Sequence, residues 1–185
     1  DITPFRAIMN DMYAKDISKK IKSVKRDKQR KGQFIGGKPM YGYKMHPTEK
    51  NKIVIDEEVA PVVRRIFAMA LEGISCRQIA VRLNEEHIPT PATYAGLTLS
   101  TKGAYSGQWS AERITEMLKN ETYIGHMVQG RTVKISYKSK KCHAQPPESW
   151  VVVKNTHEPL IDEETFRKVQ LLVNSRKHTR SRTYD

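Results

Sequence analysis

Basic side chains that could bind phosphate groups are concentrated near the start of this 185-residue chain. Lysine and arginine neutralise nucleic-acid phosphates and release their counterions, so such a cluster favours a polyanionic partner. The stretch 18–31 contains neither proline nor glycine, and its only apolar residues are Ile21 and Val24. It is therefore predicted to form a cationic helix without a core-facing side. Its candidate phosphate-binding residues are Lys19, Lys20, Lys22, Lys25, Arg26, Lys28, Arg30 and Lys31.

A second set of candidate contacts surrounds a helix that is predicted to begin at Ser110. Arg113, one turn further on, is the candidate base reader, because an arginine can donate two hydrogen bonds to O6 and N7 of guanine. The alternative is that Arg113 forms an exposed ion pair with Glu116. The other candidate DNA-binding residues are Gly36, Gly37, Lys38, Arg77, Arg82, Gln108, Ser110, Arg131 and Lys134.

The net charge of +13 is unevenly distributed along the chain. Residues 1–45 have a balance of +8, residues 46–125 a balance of −1, and residues 126–185 a balance of +6. A neutral centre between basic ends predicts a folded body that docks on nucleic acid through its flanks. The alternative is a basic surface that serves solubility.

Composition argues against several other classes of protein. A hydrophobic fraction of 38% supports one folded domain, but the longest apolar run, Ile66 to Leu71, is far shorter than the roughly 20 residues of a membrane span. The two cysteines, Cys76 and Cys142, make neither a disulfide framework nor a four-ligand zinc site, so neither a metal nor a cofactor is predicted. Free thiols fit a reducing, cytoplasmic setting. Because the chain begins at Asp1 without a signal-peptide pattern, we expect a trimmed fragment.

The elements that must position these side chains are predicted to be mainly helices. Apolar residues between Val59 and Leu71 recur with helical spacing, acidic residues 56–58 stand at the helix start, and Gly73 supplies a stop. A second helix is predicted to begin at Ser75, which can form a capping box with Gln78.

The third helix is predicted to begin at Ser110, where Trp109 and Ile114 fit a hydrophobic staple. About 18 residues separate it from the second helix, and a loop of that length is predicted to be functional or to contain a small hairpin. The second and third helices together resemble a helix-turn-helix with an enlarged turn. In that motif the later helix enters the major groove.

Short strands complete the predicted fold. Residues 41–45 and 53–55 are predicted to form a hairpin, with a linker lying along a groove as the alternative for this segment. Residues 124–137 predict a β-ribbon with a cationic face, residues 150–153 predict a strand, and Asp162 is expected to cap a last helix. The predicted fold class is α+β, a helix-dominated DNA-binding domain with an expanded helix-turn-helix and a small antiparallel sheet.

A series of short motifs follows in order between residues 36 and 126. They include Gly37-Lys38-Pro39 with Tyr41-Gly42-Tyr43, Ile55-Asp56-Glu57-Glu58, Gly73-Ile74-Ser75, Ile88-Pro89-Thr90-Pro91, and Leu118-Lys119-Asn120 with Tyr123-Ile124-Gly125. In this order and spacing they resemble the recombinase domain of large serine recombinases, such as transposon resolvases and phage-type integrases. Residues 10–21 resemble the end of that family's catalytic domain and its connecting helix, and residues 157–166 resemble the approach to its zinc ribbon.

This resemblance implies a division into three segments and a function. Residues 1–31 would be the end of the catalytic region with a basic connecting helix, residues 32–148 the DNA-binding domain, and residues 149–185 a strand and helix leading to a zinc ribbon. The implied partners are duplex attachment or terminal-repeat sites, together with further copies of the full-length protein in a dimer and tetramer. The implied setting is a bacterial or phage-encoded, nucleoid-associated protein that integrates, excises or transposes a mobile element.

The chain departs from the family pattern in two respects. No segment resembles the core of the domain that carries the catalytic serine, so no serine of this chain takes that role. The cysteine pairs of the zinc ribbon are absent from these 185 residues as well. The chain is therefore expected to bind DNA without cutting it, with neither a catalytic nor a metal site of its own.

Two other functional classes are compatible with the residues. A helix-turn-helix transcription regulator without a recombinase parent would bind operators, and the full gene would distinguish it by the domains on either side. An RNA-binding or ribosome-associated basic protein is the second alternative. The lack of aromatic-rich sheet motifs disfavours it, and competition between duplex DNA and structured RNA would test it.

Overall fold

The computed structural model describes residues 2–97, 107–136, 138–139 and 141–179. Within these residues the helices are α1 (Thr3–Arg30), α2 (Ala60–Leu71), α3 (Cys76–Glu85), α4 (Pro91–Tyr94), α5 (Ala111–Leu118) and α6 (Glu163–Thr179). The strands are β1 (Tyr43–Met45), β2 (Ile53–Ile55), β3 (Met127–Gln129), β4 (Thr132–Lys134), β5 (Cys142–Ala144) and β6 (Val151–Val153). The predicted helix-dominated α+β class is confirmed.

In the described part of the chain, the strands form three separate antiparallel pairs. The sequence predicts a single small sheet instead. β1 pairs with β2, β3 with β6, and β4 with β5. The predicted hairpin corresponds to the first pair, in which Tyr43 faces Ile55. The strand predicted at residues 150–153 is β6, and it closes against β3, with Val128 opposite Val152. The predicted ribbon is divided, because β3 pairs with β6 while β4 pairs with β5.

The core lies among α2, α3, α5 and α6, which surround the short 3-10 turn Glu121–Ile124. Phe67, Leu118 and Tyr123 are almost completely buried there. The Tyr123 hydroxyl donates to the backbone oxygen of Tyr41 at 3.0 Å, and its ring meets Phe67 edge-on at 5.7 Å. Burying a large apolar side chain stabilises a fold by about 1.5–3 kcal/mol, so this cluster holds the helices together.

The helix starts follow their local sequence signals. Ser75 and Gln78 form the predicted capping box, and the Ser110 hydroxyl accepts a hydrogen bond from the backbone N–H of Arg113. Gly73 has a φ of +87°, a left-handed conformation that suits its predicted role as a stop. Asp162 accepts from the backbone N–H of Thr165 at 2.8 Å, as expected of a cap.

The start of α2 differs from the prediction in one detail, the position of the acidic residues. The first turn of α2 contains no acidic residue, because the helix begins at Ala60, after the acidic run. Asp56 is buried instead, where its carboxylate accepts hydrogen bonds from Tyr94 at 2.9 Å and Lys44 at 3.4 Å. A buried carboxylate without hydrogen-bond donors costs more free energy than an acidic residue gains from the dipole of a helix start. The position of Asp56 is therefore set by its donors.

The helix that contains the basic stretch is longer than predicted, because residues 3–30 form one continuous helix. In the described part of the chain, none of the helices combines the length and apolar character that crossing a bilayer requires. Two predicted features lie outside the described residues: the middle of the loop before α5, at 98–106, and the end of the polar tail, at 180–182.

Candidate nucleic-acid interface

Helix α1 presents its lysines and arginines to solvent. Seven of the eight predicted phosphate-binding residues of this region are exposed, and Lys28 is half-buried. Lys20 forms an ion pair with Asp16 at 2.9 Å, but the Lys20 side chain is still 75% exposed. At 1.5 Å per residue, a 28-residue helix is about 42 Å long, so α1 offers an extended cationic surface.

The end of α1 is fixed to the rest of the fold by side-chain hydrogen bonds. Gln129 on β3 donates to the backbone oxygen of Gln33 at 2.8 Å and accepts from the N–H of Ile35 at 3.2 Å. Asn51, between β1 and β2, donates to the oxygen of Phe34 at 2.8 Å. Gly32 turns the chain with a φ of +70°, and a Cβ there would lie 2.5 Å from Thr156 Cγ2. The direction of α1 is therefore set by the folded body.

Helices α3 and α5 are joined at the point where the predicted helix-turn-helix turns. The Asn84 side chain at the end of α3 donates to the backbone oxygen of Trp109 and accepts from its N–H, at 3.0 and 2.8 Å. The Trp109 indole donates to the oxygen of Ile88 at 2.9 Å. Trp109 and Ile114 are both buried, as the predicted staple requires. The entry into α5 is thus fixed by backbone and side chain together.

The accessible side of α5 carries both signs of charge. Arg113, with 28% of its side chain exposed, lies 3.4 Å from the carboxylate of Glu116, so the alternative ion pair is present in this structure. Backbone hydrogen bonding, followed by a bond from the Ser110 hydroxyl, lowers the pKa of Glu112. Gln108 and Ser110 are exposed beside it. Carboxylates can accept hydrogen bonds from cytosine N4 but repel phosphates, so this face suits base edges better than the backbone.

The predicted contacts outside α5 have different surroundings. Arg77 and Arg82 on α3 are exposed. Lys38 donates to the backbone oxygen of Ala95 at 2.6 Å and is therefore tied to the end of α4. Gly36 and Gly37 are both exposed; a Cβ at Gly36 would meet the Phe34 ring, whereas one at Gly37 would contact none of the described atoms within 4 Å.

The ribbon formed by β4 and β5 projects with both strands exposed. Lys134 stands opposite Cys142 on this ribbon. At its base, the guanidinium of Arg131 lies 5.0 Å from the ring centre of Trp150, a cation–π contact. Lys138, near its tip, forms an ion pair with Asp11 of α1 at 2.6 Å. The tip of the ribbon therefore contacts α1 at Asp11.

The buried titratable groups belong to the core. Burial raises the pKa of Tyr41 to about 12, and burial also raises the pKa of Tyr43 and Tyr123. These phenols are neutral hydrogen-bond donors at physiological pH. Within the described residues, no group of three or more histidine, cysteine, aspartate or glutamate side chains is placed to hold a metal ion.

Most of this chain matches the model of a known protein family. Residues 57–176, more than half of the chain, match the family model described as Recombinase. The chain belongs to the Recombinase family. The resemblance to large serine recombinases seen in the sequence motifs is thereby confirmed, and the matched range extends from the turn before α2 into α6.

Solved structures share the Recombinase fold of this chain. A crystal structure of an LSR–DNA complex aligns with a TM-score of 0.53 and 23% identity over 85% of this chain and 38% of that one. A structure described as "Sequence Requirements of the Listeria innocua prophage attP site" aligns with a TM-score of 0.50 and 24% identity, over 84% of this chain and 51% of that one. The Recombinase chain thus spans about half or less of these structures.

A curated protein is also similar to this Recombinase chain. The uncharacterized protein YefB of Bacillus subtilis strain 168 is 30% identical over 82 residues. These residues are 44% of the Recombinase chain and 27% of YefB, so the chain matches about a quarter of that relative's length.

The structure distributes the predicted contacts of the Recombinase chain over three places: α1 with its exit, the α3–α5 pair, and the β4–β5 ribbon. It also brings Lys50, Lys52 and Lys154 beside Lys31, around one cleft. Sequence reasoning left those three lysines out of the candidate site. The alternating charges at the tip of the first hairpin were the available signal for Lys50 and Lys52, whereas only the folded chain brings Lys154 there.

Proposed function

We propose that this chain is the DNA-recognition part of a serine site-specific recombinase and binds duplex attachment or terminal-repeat sites in a sequence-specific manner. The observation that carries the proposal is a cationic helix about 42 Å long, anchored at one end to a body of nearly neutral sequence. Membership of the Recombinase family supports this function over that of an operator-binding regulator. The DNA named in the description of one matched structure, and the prophage attP site named in that of the other, support the choice of partner.

The two parts of the molecule are assigned different roles. Lysines and arginines of α1 contact phosphates, which gives affinity but little sequence information. Side chains at the start of α5 contact base edges in the major groove, with Arg113 as the principal reader. Arg77 and Arg82 on α3 contact the backbone beside that groove. Lys38, Arg131 and Lys134 add contacts to the same DNA.

The whole protein is proposed to integrate, excise or transpose a mobile element. Cleavage by a serine that becomes linked to DNA, and assembly into a dimer and tetramer, are assigned to parts of the protein beyond these 185 residues. The greater length of the matched structures supports such further parts. This chain then places the DNA for strand exchange.

Site selection on random duplexes, followed by footprinting, tests sequence-specific recognition. The selected duplex and a scrambled duplex of equal length would then be compared by fluorescence anisotropy at several salt concentrations. We expect binding to the selected duplex to be about 1,000-fold tighter or more, as is typical of specific DNA-binding proteins. Equal affinity for both duplexes, or preference for a structured RNA competitor, would contradict the proposal.

A separate experiment tests whether DNA cleavage belongs to parts of the protein beyond these 185 residues. The chain is incubated with supercoiled DNA that carries the selected site, and the products are separated on a denaturing gel. We expect no strand to be linked to protein. A serine-linked adduct would show that this chain contains a nucleophile and would overturn the assignment.

A further inference from the structure

A cleft of about 400 Å³ lies where the end of α1, the β1–β2 turn and the turn after β6 meet. Its lining includes Lys31, Lys50, Lys52 and Lys154, together with one carboxylate, Glu49. Lys52 is paired with Glu49 at 2.9 Å. Among the described residues, the ion pairs involve neither Lys31 nor Lys50 nor Lys154. The cleft is therefore a concave cationic surface, and concave surfaces focus the field of their charges on an anion.

The walls of this cleft are held in place before any ligand arrives. Asn51 and Asn155, which follow two of the lysines directly, have φ values of 64° and 53° and form tight left-handed turns. Asn51 exchanges two hydrogen bonds with the backbone of Phe34, at 2.7 and 2.8 Å. Beyond Asn155, the backbone N–H of Thr156 donates to the oxygen of Gly125 at 2.9 Å. Lys50 and Lys154 therefore project from hydrogen-bonded turns, which lowers the entropic cost of binding.

The lining of the cleft is not uniformly charged. Ile53 and Met127, which are almost completely buried, and Val153, which is half-buried, contribute an apolar side. Lysines around an apolar floor complement a chain in which anionic and apolar groups alternate. The sugar–phosphate backbone of DNA has this pattern, since each phosphate is flanked by deoxyribose rings.

The cleft is continuous with the cationic helix. Lys31 is both the last basic residue of the α1 series and part of the cleft lining. Lys28 Nζ, one turn earlier, lies 3.5 Å from Asn51 Oδ1 in the cleft wall. The cationic surface of α1 therefore continues into the cleft, so a DNA strand that binds the end of α1 would also reach the cleft.

We infer that this cleft binds the sugar–phosphate backbone of duplex DNA, with phosphates held by Lys31, Lys50 and Lys154 and a deoxyribose against the apolar floor. This inference rests on the proposed function and adds a contact surface that is separate from α5 and from the β4–β5 ribbon. Because phosphate contacts carry little sequence information, the cleft contributes equally to binding of any duplex.

The principal test is the double variant Lys50→Ala/Lys154→Ala. Loss of two phosphate contacts should weaken binding of both the selected and the scrambled duplex. It should also reduce the magnitude of the negative slope of log K against log salt by about 1.8, since each contact adds about 0.9 to that magnitude. The matched control is Arg167→Ala/Lys168→Ala, which removes the same charge from exposed positions of α6 that do not line the cleft. Equal slopes for the two double variants would overturn the inference.

A second variant separates loss of contacts from damage to the fold. Glu49→Gln removes the negative charge from the cleft and should tighten binding of all duplexes, a result that a misfolded protein cannot give. Unchanged or weaker binding would count against the cleft. If the wild-type chain binds no duplex at all, the proposed function fails; if it binds but the variants have no effect on DNA affinity, the cleft alone fails.

A free anion could use the same lysines. Inorganic phosphate is therefore titrated into the protein without DNA while the backbone amide signals of Lys154 and Asn155 are followed by NMR. Shifts no larger than those caused by chloride at equal ionic strength are expected for a site that needs the DNA backbone. Saturable phosphate binding, combined with an unchanged DNA salt slope in the double variant, would reassign the cleft to a free phosphate.

Discussion

Apolar residues are buried in one region of the molecule and exposed in another. The first region is the body formed by α2, α3, α5 and α6, and the second is the long helix α1. In the body, Ile114 and Leu118 are completely buried. In α1, Ile21 and Val24 are 61% and 56% exposed. Apolar surface that is already buried stabilises a fold, whereas exposed apolar surface along a helix stabilises nothing until a partner covers it. The body is thus held by its own core, and α1 depends on its anchored end.

The charges follow the same division. The sequence from residue 46 to residue 125, which supplies α2, α3 and α5, has a net charge of −1, whereas residues 1–45 have +8. Under the proposed function, this separates affinity from specificity: α1 attracts any duplex, and the start of α5 selects among them. Substitutions in the two regions should therefore change different measured quantities.

The largest expected difference is in folding stability. Ile114→Ala removes a completely buried side chain and should lower the free energy of unfolding by about 2–5 kcal/mol. The same substitution at the exposed Ile21 should change it by about 0.5 kcal/mol or less. Urea denaturation followed by circular dichroism measures both. Similar losses in the two variants would show that α1 belongs to the cooperative core.

The next effect concerns selection of bases by α5. Arg113→Ala should remove preference at a single base pair, a loss of about 1–3 kcal/mol of discrimination, when it is measured on a panel of single-base variants of the selected duplex. Glu116→Gln is the control, because it breaks the ion pair and leaves the arginine in place. Uniform weakening with Arg113→Ala would assign Arg113 to a phosphate, and no change would assign it to the ion pair.

A smaller effect is expected from one lysine of α1. Lys25→Ala should weaken all duplexes by a similar factor and lower the salt slope by about 1, with the melting temperature unchanged. Anisotropy titrations over a range of salt concentrations measure the slope. If the variant lost only its preference for the selected duplex, the division between affinity and specificity would be broken.

The smallest effect is a pH dependence confined to the body. Burial, with a further contribution from nearby His126, lowers the pKa of His157, whose ring lies between the Thr156 hydroxyl and the Thr122 backbone oxygen, both at 2.8 Å. The unfolded chain therefore takes up the proton first as the pH falls. The stabilisation is complete above the ordinary value of 6.5 and is lost as the pH falls toward the lowered pKa.

The melting temperature at pH 7.5 and pH 5 tests this expectation. It should fall on acidification, and the fall should be smaller in His157→Gln than in the wild type. His143→Gln, at an exposed position of β5, should reproduce the wild-type fall. An identical fall in all three proteins would assign the acid sensitivity to other groups.

The parts of the fold that could be predicted from the sequence have short-range causes. The Ser75 and Ser110 caps depend on contacts within one helical turn, so the residues that form them are adjacent in the sequence. The pairing of β3 with β6 joins residues about 24 positions apart and gives no such local signal. The burial of Asp56 could not be predicted for the same reason, because its donor Tyr94 lies far along the chain, on α4.

The candidate site shows the same limit. Sequence composition identified basic residues as a class, but it could not show that Lys38 would be tied to Ala95 or that Arg131 would lie over Trp150. Nor could it place Lys154 beside Lys31, because that neighbourhood forms only when β6 pairs with β3. The residue types along a chain predict what kind of ligand a surface can bind. Tertiary contacts decide which residues come together to form that surface.

The anchoring of the α1 exit by Gln129 and Asn51 has a consequence for engineering. Each residue of an α-helix advances the chain by 1.5 Å and turns it by about 100°. One residue inserted after Lys20 would therefore rotate everything upstream by about 100° relative to the body, and a foreign domain fused there would face the wrong way. Seven inserted residues would lengthen the helix by about 10.5 Å and leave its phase within about 20°. Chimaeras joined through this helix should therefore be varied in steps of seven residues.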